Sequence, residues 1–283
     1  MRLLFIRHAE PDYSTDSLTE KGFREAALLA KAAPSLRMGH CFVSPLGRAQ
    51  KTAEECLKAA GKTALTLPWL EEFNAPIDLN TAPELAAAYP GVKTEPADTG
   101  RILTPAAGDA GVIAPAAAPG RYRLRIPWDI GPRYYAAHPE LADPVRWRES
   151  EIYKHSLIPV RYEEIAHEFD CLLASYGYVH ENGIYRVTQE NRETLTFFCH
   201  LGITCVLLSI LWNMSPFVLW QTLVMLPSTV TELISEEREQ GAAFFRAQRI
   251  GDQSHLFAGS EDPSFFARFC EVYSDFSAET GRH

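Results

Sequence analysis

The stretch MRLLFIRHAE, residues 1–10, combines an apolar run with an arginine–histidine pair. Leu3 to Ile6 is a continuous apolar block, which is typical of a strand buried on both faces of a parallel sheet. Arg7 and His8 follow it, at the carboxyl edge where α/β proteins bind their ligands. A histidine there acts as nucleophile, general base or metal ligand, and the adjacent arginine disfavours a divalent cation and favours an anionic ligand. Taken alone, the pair also fits a surface histidine after a strand.

The rest of the chain alternates between strand and helix patterns. Strands are predicted over residues 2–6, 40–43, 64–67, 183–187, 194–199, 229–234 and 242–248. The first helix is expected to start within residues 16–20 and to end at Pro34, and the second to run from Ser44, its N-cap, to Ala60. Further helices are predicted over residues 161–176, 201–212 and 264–273. This alternation predicts a three-layer α/β/α fold with a mostly parallel central sheet.

The middle of the chain departs from that alternation. We expect residues 77–160 to form a cap-like insertion after the third strand, within a single domain of residues 1–283. Inside it, residues 105–120 (PAAGDAGVIAPAAAPG) have no periodic apolar face and are expected to be a mobile loop. Arg121, Arg123 and Arg125 share one face if their stretch is a strand, where they either bind a second anionic group or protect a solvated edge.

Composition limits the classes of function. With 283 residues the chain is long enough for one large core, and its net charge of −9 argues against a general nucleic-acid binder and an anionic membrane surface. The most apolar stretch, residues 201–212, is too short to span a bilayer, and no signal peptide is visible. The six cysteines form no C-x-x-C pair. We therefore expect a cytoplasmic protein with no metal site and no cofactor.

Three more stretches place reactive side chains just after predicted strands. Residues 44–53 (SPLGRAQKTA) put Arg48 in the first turn of a helix, where a guanidinium beside the positive helix end favours an anion. Residues 70–73 (LEEF) supply two adjacent carboxylates, and residues 198–202 (FCHLG) put His200 between an apolar strand and a buried helix. Each stretch also has a plain structural interpretation, as a surface arginine, a solvated glutamate pair and a satisfied core histidine.

The order and spacing of these four stretches resemble the histidine phosphatase superfamily, in the branch that includes cofactor-dependent phosphoglycerate mutases and broad-specificity phosphatases. The resemblance covers residues 1–75 and about 190–260. It implies that His8 is the nucleophile that takes the phosphoryl group and that Glu72, rather than Glu71, is the proton donor. It also implies that the catalytic set is completed by Arg7, Arg48 and His200.

Two positions depart from the family pattern. Ala9 and Leu201 stand where the family has a glycine directly after each histidine. Alanine at the first position is a mild change, whereas Leu201 is expected to narrow the pocket wall or shift its backbone. The expected substrate-binding residues are Arg7, Arg48, Tyr13 and Leu201.

The resulting hypothesis is a metal-independent phosphomonoesterase that hydrolyses a small phosphorylated metabolite through a phosphohistidine. A neutral His8 attacks phosphorus, the arginines neutralise the phosphoryl oxygens, and Glu72 protonates the leaving oxygen. Two alternatives stay open: a phosphoglycerate mutase-type phosphotransferase, which the short segment 10–17 disfavours, and a non-catalytic phospho-ligand-binding protein. The expected partner is the phosphorylated substrate, with no nucleic acid and no membrane, and a homodimer is left open.

Overall fold

A mixed sheet forms the centre of the molecule in the computed structural model, which describes residues 1–89 and 121–264. The strands in the described part are β1 (Arg2–Arg7), β2 (Pro11–Asp12), β3 (Ser17–Leu18), β4 (His40–Val43), β5 (Ala64–Thr66), β6 (Tyr178–Glu181), β7 (Ile184–Val187), β8 (Thr194–Cys199), β9 (Val230–Glu239) and β10 (Ala242–Asp252). Among these residues, eight strands form the main sheet in the order β5-β4-β8-β1-β9-β10-β7-β6, and β2 pairs with β3 apart from it.

The sheet has a parallel half and an antiparallel half. Strands β5, β4, β8 and β1 are parallel neighbours, and every pairing from β1 onward to β9, β10, β7 and β6 is antiparallel. The predicted α/β class is confirmed, and the antiparallel half is larger than the sequence indicated. Strand β6 has no apolar run, and it forms a hairpin with β7 across Asn182 and Gly183, both of which have positive φ.

Helices cover both faces of the sheet. They are α1 (Glu20–Leu36), α2 (Gly47–Ala60), α3 (Pro132–Ala137), α4 (Glu151–Lys154), α5 (Ile158–Ser175), α6 (Leu201–Trp212), α7 (Pro216–Thr222) and α8 (Ser254–Ala258). Because side chains alternate along a strand, Leu3 and Phe5 of β1 pack in the core with α5 and α6. Leu4 and Ile6 pack in a second core with α1 and α2. This division produces the three layers.

Two predicted helix ends are wrong. Helix α2 begins at Gly47 after Leu46, and no side chain caps it, because the Ser44 hydroxyl is engaged elsewhere. Helix α1 is capped by Thr19, whose side chain accepts from the Gly22 N–H, and it continues through Pro34 to Leu36. A proline this close to a helix end removes one backbone hydrogen bond without ending the helix, since the last buried residues still pack on the sheet.

Short helices and 3₁₀ turns make up much of the described chain between β5 and α5, which is residues 67–89 and 121–157. We propose that residues 77–160 form a cap within a single domain, built around the fully buried indole of Trp147. The stretch 121–125 is not a strand: only Arg125 makes a bridge, with Ile77. Arg125 is therefore buried and Arg121 exposed, so the three arginines do not share a solvent face. The predicted loop 105–120 and nearly all of the predicted helix 264–273 lie outside the described residues. No described helix is long and apolar enough to cross a membrane.

Candidate active site

The two histidines of the predicted site follow neighbouring parallel strands. Arg7 and Cys199 are the last partners in the β1–β8 ladder, so His8 and His200 leave the sheet side by side at its carboxyl edge. The centroids of their rings are 5.0 Å apart, and both side chains are fully buried. The parallel register therefore brings together two histidines that are far apart in the sequence.

A backbone contact determines which nitrogen of His8 can react. Nδ1 lies 2.8 Å from the carbonyl oxygen of Ala9. Because a carbonyl oxygen only accepts, Nδ1 carries the proton, and the lone pair of a neutral His8 is on Nε2. The backbone is held as well: the His8 N–H donates to the Cys199 carbonyl, and the His8 carbonyl accepts from the Ser228 N–H. The ring is thus oriented with Nε2 as its nucleophilic atom.

Ser44 orients the second histidine. Its Oγ lies 2.7 Å from His200 Nε2 and accepts from the Leu46 N–H at 3.2 Å. Because a hydroxyl group both donates and accepts, Ser44 can hold either tautomer of His200 in this orientation. Sequence reasoning missed this role because a serine before a helix predicts a cap, and only the β4–β8 pairing shows that it lies beside His200.

The two arginines are buried, and each is held by an oxygen. Arg7 donates through Nη1 to the Met225 carbonyl at 2.7 Å. Arg48 donates through Nη1 to Asp16 Oδ1 at 2.7 Å, and the other carboxylate oxygen of Asp16 accepts from the Gly47 N–H. The Tyr13 ring lies 5.3 Å from the Arg48 guanidinium carbon, so these two predicted substrate-binding residues are in contact. No sequence pattern indicated that Asp16 binds Arg48.

The adjacent glutamates have different surroundings. The Glu72 carboxylate is buried and accepts from the backbone N–H groups of Phe73, Gly202 and Ile203, the last two in the first turn of α6. Glu71 is partly exposed and forms an ion pair with Arg161 on α5 at 2.7 Å. Glu72 therefore lies at the start of the helix that follows His200, and Glu71 points to a different helix.

Close packing at the start of α6 requires a glycine. A Cβ on Gly202 would lie 2.7 Å from Glu72 Oε1 and 2.6 Å from a ring carbon of Trp128, both closer than atoms pack. Leu201, which precedes it, is buried and lines a cavity next to α7. Within residues 1–89 and 121–264, no three His, Cys, Asp or Glu side chains are grouped so that they could hold a metal ion.

Hydrogen bonds with Thr52 and Ser228 hold the backbone on either side of the nucleophile. The Ala9 N–H donates to Thr52 Oγ1 at 3.0 Å, and that hydroxyl donates to the Arg48 carbonyl at 2.8 Å. Ser228, whose N–H holds the His8 carbonyl, has a positive φ of 63°. Its hydroxyl lies 2.9 Å from Nε2 of His255 on α8. Burial lowers the pKa of His255 from 6.5 to about 4.

We expect the substitution His255→Gln to remove part of the acid sensitivity of the fold. Below pH 6.5 an unfolded chain protonates this histidine, whereas the folded protein does so only below about pH 4. Stability from neutral His255 is thus complete above pH 6.5 and is lost as the pH falls towards 4, by roughly 2–3 kcal/mol. Urea unfolding at pH 7 and 4.5 measures this loss. The control variant His40→Gln, at an exposed histidine, should lose as much stability between pH 7 and 4.5 as the parent protein. The same loss in His255→Gln would show that His255 does not cause this acid sensitivity.

Comparison with known proteins adds to this geometry. Residues 3–101 match the model of the histidine phosphatase superfamily, branch 1, a range that includes His8, Arg48 and Glu72. Over 83 residues the chain is 31% identical to a probable phosphoglycerate mutase of Cronobacter sakazakii, in an alignment that covers 26% of the chain and 39% of that relative. The chain therefore matches well under half the length of this curated protein.

Solved structures resemble this chain at low sequence identity. Phosphoserine phosphatase of Entamoeba histolytica, in complex with 3-phosphoglyceric acid, superposes with a TM-score of 0.50 at 16% identity, covering 90% of this chain and 98% of that one. A mycobacterial glucosyl-3-phosphoglycerate phosphatase superposes with a TM-score of 0.48 at 17% identity, covering 88% and 98%. At 16% identity, the similarity to phosphoserine phosphatase supports the fold alone.

Proposed function

We propose that this chain, whose residues 3–101 match the model of the histidine phosphatase superfamily, is a member of that superfamily and a metal-independent phosphomonoesterase that forms a phosphohistidine on His8. The observation that carries this proposal is the hydrogen bond of His8 Nδ1 to the Ala9 carbonyl, which leaves Nε2 as the nucleophile beside His200. Two buried arginines nearby supply the positive charge that a phosphate dianion requires, and they disfavour a divalent cation in the same place.

The reaction has two steps. In the first, His8 Nε2 attacks phosphorus, the bond from phosphorus to the leaving oxygen breaks, and Glu72 transfers a proton to that oxygen. In the second, water attacks the phosphohistidine, the P–N bond breaks, and the Glu72 carboxylate takes the proton of the water. Phosphate is released, and both His8 and Glu72 return to their starting states.

Burial strengthens the charge interactions in this site. Arg7, His8, Arg48, Glu72 and His200 are each at most 2% exposed, and charges interact more strongly where water is excluded. Each charge-assisted hydrogen bond from an arginine contributes about 1.5–3 kcal/mol. The three N–H donors to Glu72 stabilise its carboxylate form. Transfer of a proton from Glu72 to the leaving oxygen in the first step is therefore favoured, whereas uptake of a proton from water in the second step is opposed.

A mutase is the second candidate, because the curated relative is named as a probable phosphoglycerate mutase. It would use the same phosphohistidine and return the phosphoryl group to the substrate in place of water. Phosphorus NMR separates the two: a phosphatase releases inorganic phosphate from 3-phosphoglycerate or from another monoester, and a mutase isomerises 3-phosphoglycerate. A non-catalytic phosphate-binding protein would do neither.

We expect phosphatase activity to survive removal of metal ions. Two arginines and two histidines take the place that Mg²⁺ has in other phosphoryl-transfer enzymes. The test is release of 4-nitrophenol from 4-nitrophenyl phosphate after exhaustive dialysis against a chelator. Orthovanadate should inhibit, because it mimics five-coordinate phosphorus. A strict requirement for an added divalent cation would contradict metal independence, and the variant His8→Ala controls for contaminating phosphatase.

A further inference from the structure

We propose that a cavity at the start of α6, next to Glu72, binds the alcohol portion of the substrate and selects phosphomonoesters whose leaving group carries one ring. This inference rests on the proposed function and adds a substrate class to it. The cavity has a volume of about 200 Å³, and its lining combines Trp128, Leu201, Trp220 and Val224 with the polar residues Gln221 and Thr222.

The size and lining of the cavity suit a single ring. An apolar protein cavity of about 150 Å³ stays dry and accepts benzene, so a volume of about 200 Å³ accommodates a six-membered ring with a small substituent. The centroids of the Trp128 and Trp220 rings are 6.1 Å apart at an interplanar angle of 56°, so the two indoles form adjoining walls. Aromatic walls combined with polar groups that can orient a ligand are typical of small-molecule sites.

The cavity adjoins the leaving-group side of the candidate site. Trp128 and Glu72 both reach within 3 Å of the point where a Gly202 Cβ would lie, so the indole is next to the carboxylate that protonates the leaving oxygen. Leu201 directly follows His200, and Val224 directly precedes Met225, whose carbonyl holds Arg7. A ring attached to the leaving oxygen would therefore extend from Glu72 towards Trp128.

The walls are already fixed in this structure. Trp220 donates its indole N–H to the Gly202 carbonyl at 3.3 Å and stacks on Phe73 with centroids 5.3 Å apart. Gln221 donates to the Trp128 carbonyl at 3.0 Å. A preformed site loses little conformational entropy when its ligand binds. Leu201 adds an apolar side chain where the family resemblance expects glycine, so this wall is a property of this chain.

One polar group in the lining also favours a ligand. The indole N–H of Trp128 is buried and has no hydrogen-bond acceptor among the residues that the structure describes. Buried donors in folded proteins are nearly always paired. An oxygen substituent on the bound ring would supply the acceptor. Val224 belongs to the lining and is 43% exposed, so we take this residue to mark the mouth of the cavity.

The test compares benzyl phosphate with ethyl phosphate. Both lose an ordinary alkoxide, so their intrinsic reactivity is similar and the ratio of their kcat/KM values reports binding of the ring. We expect benzyl phosphate to be preferred by roughly 10- to 100-fold, as burial of one ring implies. The substitution Val224→Trp fills the mouth and should bring the ratio close to one. Val145→Trp is the matched control: Val145 is 70% exposed and outside the lining, and the ratio should persist.

Binding measurements keep this proposal separate from the proposed function. Benzylphosphonate and ethylphosphonate resist hydrolysis, and calorimetry gives their dissociation constants whether or not the protein turns over a monoester. Tighter binding of the benzyl compound that is lost in Val224→Trp supports the cavity even if no monoester is hydrolysed. Turnover with equal preference for the two esters, or a benzyl preference that Val224→Trp leaves unchanged, would overturn the cavity assignment and leave the phosphatase intact.

Discussion

The variant His8→Ala is expected to lose roughly 10⁴-fold or more in kcat on any phosphomonoester, because it removes the nitrogen that forms the proposed covalent intermediate. Stopped assays with free phosphate as the readout measure this loss. The matched control is His40→Ala, which removes an exposed histidine at the start of β4 and should keep full activity. Because His8 is fully buried, His8→Asn is a second variant that removes the nucleophile while filling most of the space.

The intermediate provides an independent check on the same residue. A phosphohistidine is labile in acid and stable in alkali, so an alkaline quench during turnover followed by peptide mapping should locate phosphate on the peptide that contains His8. Activity within tenfold of the parent protein in a folded His8→Ala variant would show that the proposed mechanism is wrong. Phosphate on the peptide of His200 would transfer the nucleophilic role there.

Glu72→Gln is expected to slow hydrolysis of alkyl phosphates by roughly 10²–10⁴-fold. Aryl esters with acidic leaving groups should be affected less in the first step, because their leaving oxygen needs little protonation. The measurement is kcat for ethyl phosphate and for 4-nitrophenyl phosphate in each variant. The side-chain amide that this substitution introduces would set an N–H group against the Gly202 N–H, so we also expect a lower melting temperature.

The adjacent Glu71 offers a matched control for this variant. Glu71→Gln weakens a partly exposed ion pair with Arg161 and should change stability by about 1 kcal/mol or less, with unchanged kcat. The ratio of alkyl to aryl rates separates a lost proton transfer from a general loss of folding, which would lower both rates together. If Glu71→Gln shows the selective loss and Glu72→Gln does not, the proton-transfer role belongs to Glu71.

Local patterns in the chain were sufficient for the centre of the fold. Strands β1 and β8 are short apolar runs. A strand buried on both faces can be predicted from such a run alone, without knowledge of the strands that pair with it. Histidines directly after such strands belong at the carboxyl edge of a parallel sheet, and His8 and His200 lie there side by side. The buried helix α6 was equally clear, because it is apolar on all sides.

The antiparallel half of the sheet and the cap were harder to predict. Strand β6 alternates weakly, and it is a strand because β7 supplies its hydrogen bonds. Residues 121–125 have alternating arginines and yet make a single bridge, because Tyr122 bonds to the side chain of Asn80 and only Arg125 pairs with a backbone, that of Ile77. Pairing partners, rather than intrinsic preference, determine such segments.

The ends of the buried strands and the reactive residues that follow them could be predicted from the sequence. Both depend on apolar burial and on the position of a residue at a strand end, which involve only a few neighbouring residues. The residues that contact them could not be predicted in this way. Asp16 on Arg48, Ser44 on His200, and His255 behind Ser228 are contacts between segments far apart in the chain. The surroundings of Glu71 and Glu72, and the cavity beside Leu201, likewise depend on which helix packs against which strand end. A hydrogen bond or a void exists only once distant segments have packed, and no local pattern encodes its geometry.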